Sequence, residues 1–311
     1  MSILKERRTT FYIKNVIKLM RKEKIVVSCD TTVALKKEYI LENKLNVIPL
    51  NAIADGVEYH DTVDIDANKL SELMRKGAKI STSTPTIGEI EMYFDEIFER
   101  TNADVIIHYT ISSKLSSMFS LFTTVCKERY GNKVIVVDSL SICTYIHQQV
   151  KYTQHLIDTT ELSAQEIITK VNEELTGIGD LVFIPDSLEY LKRGGRISPA
   201  VATIANFIGV VPVLTFNNGV VGKKGVTRTA QKAILTAFKE WNEYIPNFET
   251  DYELILMYSD EGIMDKTNKI ISYIHEFVTQ REISIHQISL NVIAHTGPGT
   301  FGFGYKKKVK M

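Results

Sequence analysis

Short apolar, β-branched runs alternate with amphipathic stretches along most of this chain. Runs at 25–28, 45–50, 104–109 and 133–138 have strand length and are rich in Val and Ile. Three of them give way to stretches with helical periodicity, so this part is expected to form a parallel, doubly wound sheet. Helix starts are legible too, because Thr86 with Glu89 and Ser163 with Glu166 have the spacing of capping boxes. Beyond Thr86, residues Ile90, Tyr93, Phe94, Ile97 and Phe98 are spaced to bury one helical face.

The pattern changes after about residue 158. Strands are expected at 181–185 and 210–216, with Asn217-Asn218-Gly219 turning the second into Val220-Val221 as a hairpin. A helix around 229–243, a strand at 252–258, a helix over 264–279 and a final strand at 284–294 complete a second α/β unit. The fold class is therefore α/β with two lobes, 25–158 and 159–311, the first a mainly parallel sheet. Residues 1–24 stand apart as a basic amphipathic N-terminal extension. Ile13, Val16, Ile17 and Met20 share one helical face, and Lys14, Lys18, Arg21 and Lys22 fall elsewhere. Such a segment packs on its own body or on a second copy, or makes peripheral contact with an anionic membrane surface.

Charge narrows the partners. Lys plus Arg and Asp plus Glu each total 37, but residues 1–24 hold eight basic and two acidic residues, and 306–311 hold four Lys. Subtracting these leaves 25 basic against 35 acidic residues over 25–305, so no nucleic acid is expected as a partner. Cys29, Cys126 and Cys143 are odd in number, lack CxxC spacing and sit in or beside apolar segments. A reducing compartment without disulfides fits them. With no apolar run of membrane-spanning length and no signal-peptide pattern, the expected location is cytoplasmic.

Candidate chemistry collects where strands end. Asp30-Thr31-Thr32, Ser112-Ser113 and Asp138-Ser139 each follow a strand of the parallel sheet, and would open onto the edge where such sheets bind ligands. Hydroxyls there either cap the next helix or hold a small anion. Gly297-Pro298-Gly299-Thr300-Phe301-Gly302 matches GxGxxG in letters, but too little chain follows for a dinucleotide-binding unit. It reads instead as a Gly-permitted turn that places His295 and nearby amides at a ligand. Ser112, Ser113 or Ser116 with His295 and Asp30 could form a hydrolytic triad, although no G-x-S-x-G elbow accompanies them. The seven His show no metal-ligand spacing, so neither a metal nor a cofactor is expected. Residues 188–198 read as a short helix, a Gly-Gly turn and a new helix start carrying three cations.

Several of these strings together resemble the DegV family of fatty-acid-binding proteins. They are Asp55-Gly56 with Asp61 and Asp64-Ile65, Thr82-Ser83-Thr84-Pro85-Thr86, Ser112-Ser113-Lys114-Leu115-Ser116, Asp138-Ser139, Tyr190-Leu191-Lys192-Arg193-Gly194-Gly195-Arg196-Ile197-Ser198 and His295-Thr296-Gly297-Pro298-Gly299. Their order and spacing span nearly all of 25–304.

The resemblance implies a long-chain fatty acid in a tunnel between the lobes, presented to a separate ATP-binding fatty acid kinase subunit that phosphorylates it to acyl-phosphate for phospholipid synthesis. The chain itself would not be catalytic. Thr82, Ser83, Ser112, Ser113, Ser116 and His295 would hold the carboxylate, with Thr82 and Ser113 as direct contacts. Arg228, Arg193 and Arg196 would lie at the head-group mouth or the kinase-docking surface. Ser117 and Met118 replace the Gly and Thr usual in the family, and Thr84 replaces a Gln. The competing readings are a Ser-dependent lipid esterase or thioesterase, and a small-molecule sensor without lipid.

Overall fold

The computed structural model describes residues 23–196, 201, 210–278 and 281–311. All but the last two residues of the expected extension over 1–24 fall outside these, as does the helix start expected at Ser198.

Four parallel strands form the first sheet in the order β2-β1-β6-β7. They are β1 (Ile25–Asp30), β2 (Asn46–Ile48), β6 (Val105–Thr110) and β7 (Val134–Asp138). The run expected at 45–50 stops early because Pro49 has no amide to give a ladder. Beyond it, β3 (Asn51–Ala54) turns away and pairs antiparallel with β4 (Val57–His60) and β5 (Ile80–Ser83). Helices α1 (Ala67–Arg75) and α2 (Ile87–Thr101) return the chain to β6. The capping box of α2 is complete: the Glu89 amide donates to Thr86 Oγ1 at 3.3 Å and the Thr86 amide to Glu89 Oε2 at 2.7 Å. Ile90, Phe94 and Ile97 of that helix are buried. Helix α3 (Met118–Tyr130) links β6 to β7, and α4 (Thr144–Thr159) and α5 (Ala164–Leu175) lead to the second sheet. Ser163 and Glu166 form the capping box of α5.

Six strands make that sheet, in the order β10-β9-β8-β13-β11-β12. Strands β8 (Gly179–Ile184), β9 (Val211–Asn217), β10 (Val220–Thr227), β11 (Tyr252–Tyr258) and β13 (Phe301–Lys307) pair antiparallel with one another, whereas β12 (Ile283–Gln287) is parallel to β11. The short helix α6 (Glu189–Arg193) follows β8. Both faces are covered. Leu181 and Phe183 point into the core shared with the first sheet, while Val182 and Ile184 join Ile234, Trp241 and Ile270 of α7 (Ala230–Tyr244) and α8 (Met264–His275). All three cysteines are buried and free.

One expectation is overturned. The final strand expected at 284–294 ends at Gln287 as β12, and Leu290–Thr296 is a helix, here α9, rather than more strand. The true last strand is β13, inserted between β8 and β11. Its Phe-Gly-Phe-Gly sequence has weak strand propensity, but the glycines make room. A Cβ on Gly304 would stand 2.5 Å from the Asp180 carbonyl oxygen and 2.8 Å from Tyr145 Oη. That hydroxyl reaches the carbonyls of Asp180 and Tyr305 at 3.0 and 3.1 Å, joining α4 to the second sheet.

Gly304→Ala should therefore lower unfolding stability by about 3 kcal/mol, at the upper end of overpacking costs. Urea denaturation measures it, and a loss under about 0.5 kcal/mol would contradict this packing.

Candidate functional site

Two aspartates brace the carboxyl edge of the first sheet. Asp30, at the end of β1, accepts from the Thr32 amide at 2.8 Å, the Ile111 amide at 3.2 Å and the Thr32 hydroxyl. Burial pushes its pKa up to about 6 against the opposing pull of those hydrogen bonds. Asp138, at the end of β7, accepts from the amides of Ser113 at 3.0 Å and Leu140 at 3.1 Å. These carboxylates fix the loops. Further along the chain, Asp55 and Gly56 form the β3–β4 turn with positive φ at both, and Asp55 accepts from the Lys79 amide at 2.8 Å.

Ser112 is also structural. Its hydroxyl donates at 2.9 Å to the carbonyl of Gly219 in the β9–β10 turn. Gly219 has φ +79°, and a Cβ there would collide with Ser112 Oγ.

Thr82 on β5 meets His295 on α9, with Oγ1 3.1 Å from Nε2. His295 Nδ1 is buried without a partner among the described residues. It lies against Gly194, where any side chain would strike it. Burial, and secondarily the charge of Arg196, pushes the His295 pKa down to about 4. An imidazole that donates from Nε2–H to Thr82 leaves that hydroxyl free to donate its own proton onward. Arg196 Nε in turn donates at 3.2 Å to the carbonyl of Leu115, beside Ser116.

Between the loops at the carboxyl edge of the first sheet and the inner face of the second lies a cavity of about 400 Å³. Its polar wall consists of the neighbours just described, Thr82, Ser116, Arg196 and His295, together with Ser83, Thr84 and Ser117. Its apolar wall includes Leu181, Phe183, Phe216 and Met257 on the inner face of the second sheet, with Ile111 and Ile142 from the loops after β6 and β7. Ser117 and Arg196 are exposed, whereas the apolar residues named are buried.

Of the residues singled out from sequence, Thr82, Ser83, Ser116, His295 and Arg196 line this cavity. Ser112 and Ser113 stand outside its lining: the first is turned to Gly219, and the second is exposed with its amide held by Asp138. Arg193 and Arg228 are exposed and away from the lining, Arg193 lying 4.8 Å from the centre of the Tyr190 ring. Sequence reasoning missed Asn291 and Val292, which share a helical face with His295 and Thr296 only once Leu290–Thr296 is helical.

No Ser-His-Asp triad forms from Ser112, His295 and Asp30. The hydroxyl, imidazole and carboxylate have separate partners, and His295 Nδ1 has no carboxylate to orient it. The turn at 297–299 uses its amides internally, since Gly297 N donates to the Ile293 carbonyl at 2.7 Å and Gly299 N to Ser259 Oγ at 2.9 Å. Contrary to the sequence reading, the turn does not offer those amides to a ligand. Among the described residues no His, Cys, Asp and Glu grouping could hold a metal, and no helix is long and apolar enough to cross a membrane.

The family model described as uncharacterised protein, DegV family, matches residues 24–308. A DegV domain-containing protein of Staphylococcus aureus is 28% identical over 287 residues, covering 92% of this chain and 99% of that protein. A solved structure described as fatty acid binding of a DegV family protein from Thermus thermophilus superposes with a TM-score of 0.77 at 25% identity, covering 92% of this chain and all of that one. The structure of DegV from Bacillus subtilis, described as a fatty acid binding protein, gives 0.78 at 24% identity over the same share of this chain.

His295 should be neutral at pH 7 and titrate near pH 4, read from its imidazole resonances by NMR. A base whose folded pKa is depressed holds more protons when unfolded. Its contribution to stability is therefore full above pH 6.5 and declines as pH falls toward 4. A midpoint near 6.5 would contradict the buried placement.

Proposed function

This chain belongs to the DegV family, and from that premise we propose that it binds one long-chain fatty acid between its two sheets and presents the carboxylate to a separate ATP-binding kinase subunit. The observation that carries the reading is the segregation of one cavity into an apolar buried wall and a hydroxyl-lined wall that reaches the surface. About a dozen buried methylenes at about 0.8 kcal/mol each contribute on the order of 10 kcal/mol gross. One hydrogen bond to a charged group nets about 1.5–3 kcal/mol. The tail gives affinity, and the polar wall gives orientation.

A carboxylate taken between the sheets must keep donors or it would protonate. Thr82, Ser83 and Ser116 supply neutral donors, with His295 supporting Thr82 from behind and Arg196 adding charge at the exposed end. Ser112 and Ser113 act by holding the loop in place. In this account the chain is not catalytic alone and leaves the chemistry to a partner, for which the exposed Arg196, Arg193 and Arg228 are the proposed docking residues. Phosphorylation of the carboxylate would then yield an acyl-phosphate.

Thr82→Ala with Ser116→Ala should weaken fatty-acid binding by about a hundredfold or more, the effect of losing two such hydrogen bonds. The melting temperature should stay close to that of the parent. Displacement of a fluorescent fatty acid reads the affinity, and an unchanged value in the folded double variant would remove these residues from the head-group site.

A further inference from the structure

Phe216 stands between two hollows. On one side it lines the cavity assigned to the fatty acid, and on the other it walls a much smaller pocket formed with Tyr145, Leu175, Gly177 and Leu140. The rim of that pocket, Asn217 and Asn218, is exposed, so it leads outward between the β9–β10 turn and the loop after β7. Phe216, 5% exposed, is the one described residue that lines both.

Its backbone is tightly placed. Phe216 pairs with Leu181, another cavity residue, across β8 and β9. Just beyond it, the Gly219 carbonyl is held by Ser112. No polar group tethers the ring itself, and the walls that would meet a tail beyond it, Leu140, Leu175 and the Tyr145 ring, are apolar over most of their surface. Truncating the ring would join the two hollows without disturbing the polar wall, which is built from other elements.

We propose that Phe216 is the stop that sets the length of acyl chain the cavity accepts, with the space its ring fills, extended by the pocket of about 10 Å³ behind it, as what a longer chain would enter. This rests on the fatty-acid reading above. Each methylene beyond the stop, once admitted, favours binding by about fourfold. Removing the stop should therefore shift selection toward longer acids while leaving head-group binding intact.

The full-length chain and its Phe216→Ala variant are each incubated with an equimolar mixture of tetradecanoic, hexadecanoic, octadecanoic and icosanoic acids, re-isolated, and the bound acids extracted and identified. The inference predicts that the ratio of the longest to the shortest bound acid rises at least tenfold in the variant. Adding Leu140→Trp to refill the small pocket should reverse the shift. Phe216→Leu, which keeps the core filled, serves if Phe216→Ala fails to fold, and should show the same direction. An unchanged length distribution in a folded variant overturns the inference, as does loss of all four acids. Failure of the parent chain to take up any acid would overturn the fatty-acid reading, and this inference with it.

Discussion

Backbone amides at the carboxyl edge of a parallel sheet must find acceptors, and here two aspartate carboxylates provide them. Asp30 ties the end of β1 to Ile111, and Asp138 ties the end of β7 to Ser113, so the loop between β6 and α3 is held from both sides. Ser112 latches the β9–β10 turn of the second sheet, while Thr82 and Ser116 remain on the cavity wall. Without that bracing, the distance between the loop and the second sheet, and with it the cavity, would not be fixed.

The site also depends on glycines that leave space for other groups. Gly194 admits the His295 imidazole and Gly304 admits Tyr145, so both the polar wall and the seam between α4 and the second sheet rest on missing side chains. Under the proposed function neutral donors would suit the carboxylate, since a fixed ion pair at the inner wall would compete with its attack on a phosphoryl group. Arg196 stands at the exposed end, and burial keeps His295 neutral.

Much of the fold was legible because the elements of the first sheet carry their signal in their own local sequence. Val- and Ile-rich runs marked β1, β6 and β7, and two capping boxes marked helix starts to the residue. The last strand was illegible, since Phe301–Lys307 owes its place to Leu181, Asp180 and Tyr145, which are distant in sequence. The β-branched residues near 283–293 read as one strand, although Leu290–Thr296 packs as a helix, and Asn291 was lost from view with it. At the site, residue types pointed to loops that meet at the cavity. Which hydroxyls face the cavity was decided by Asp138 and Gly219, partners that spacing along the chain does not reveal.

The central claim is that the cavity between the sheets holds one fatty acid by its tail, with the carboxylate at the hydroxyl-lined wall. Native mass spectrometry of the chain purified from a bacterial host, followed by organic extraction and identification of what is released, tests it most directly. The account predicts one long-chain fatty acid per chain. A chain that emerges empty and takes up no added fatty acid would contradict it.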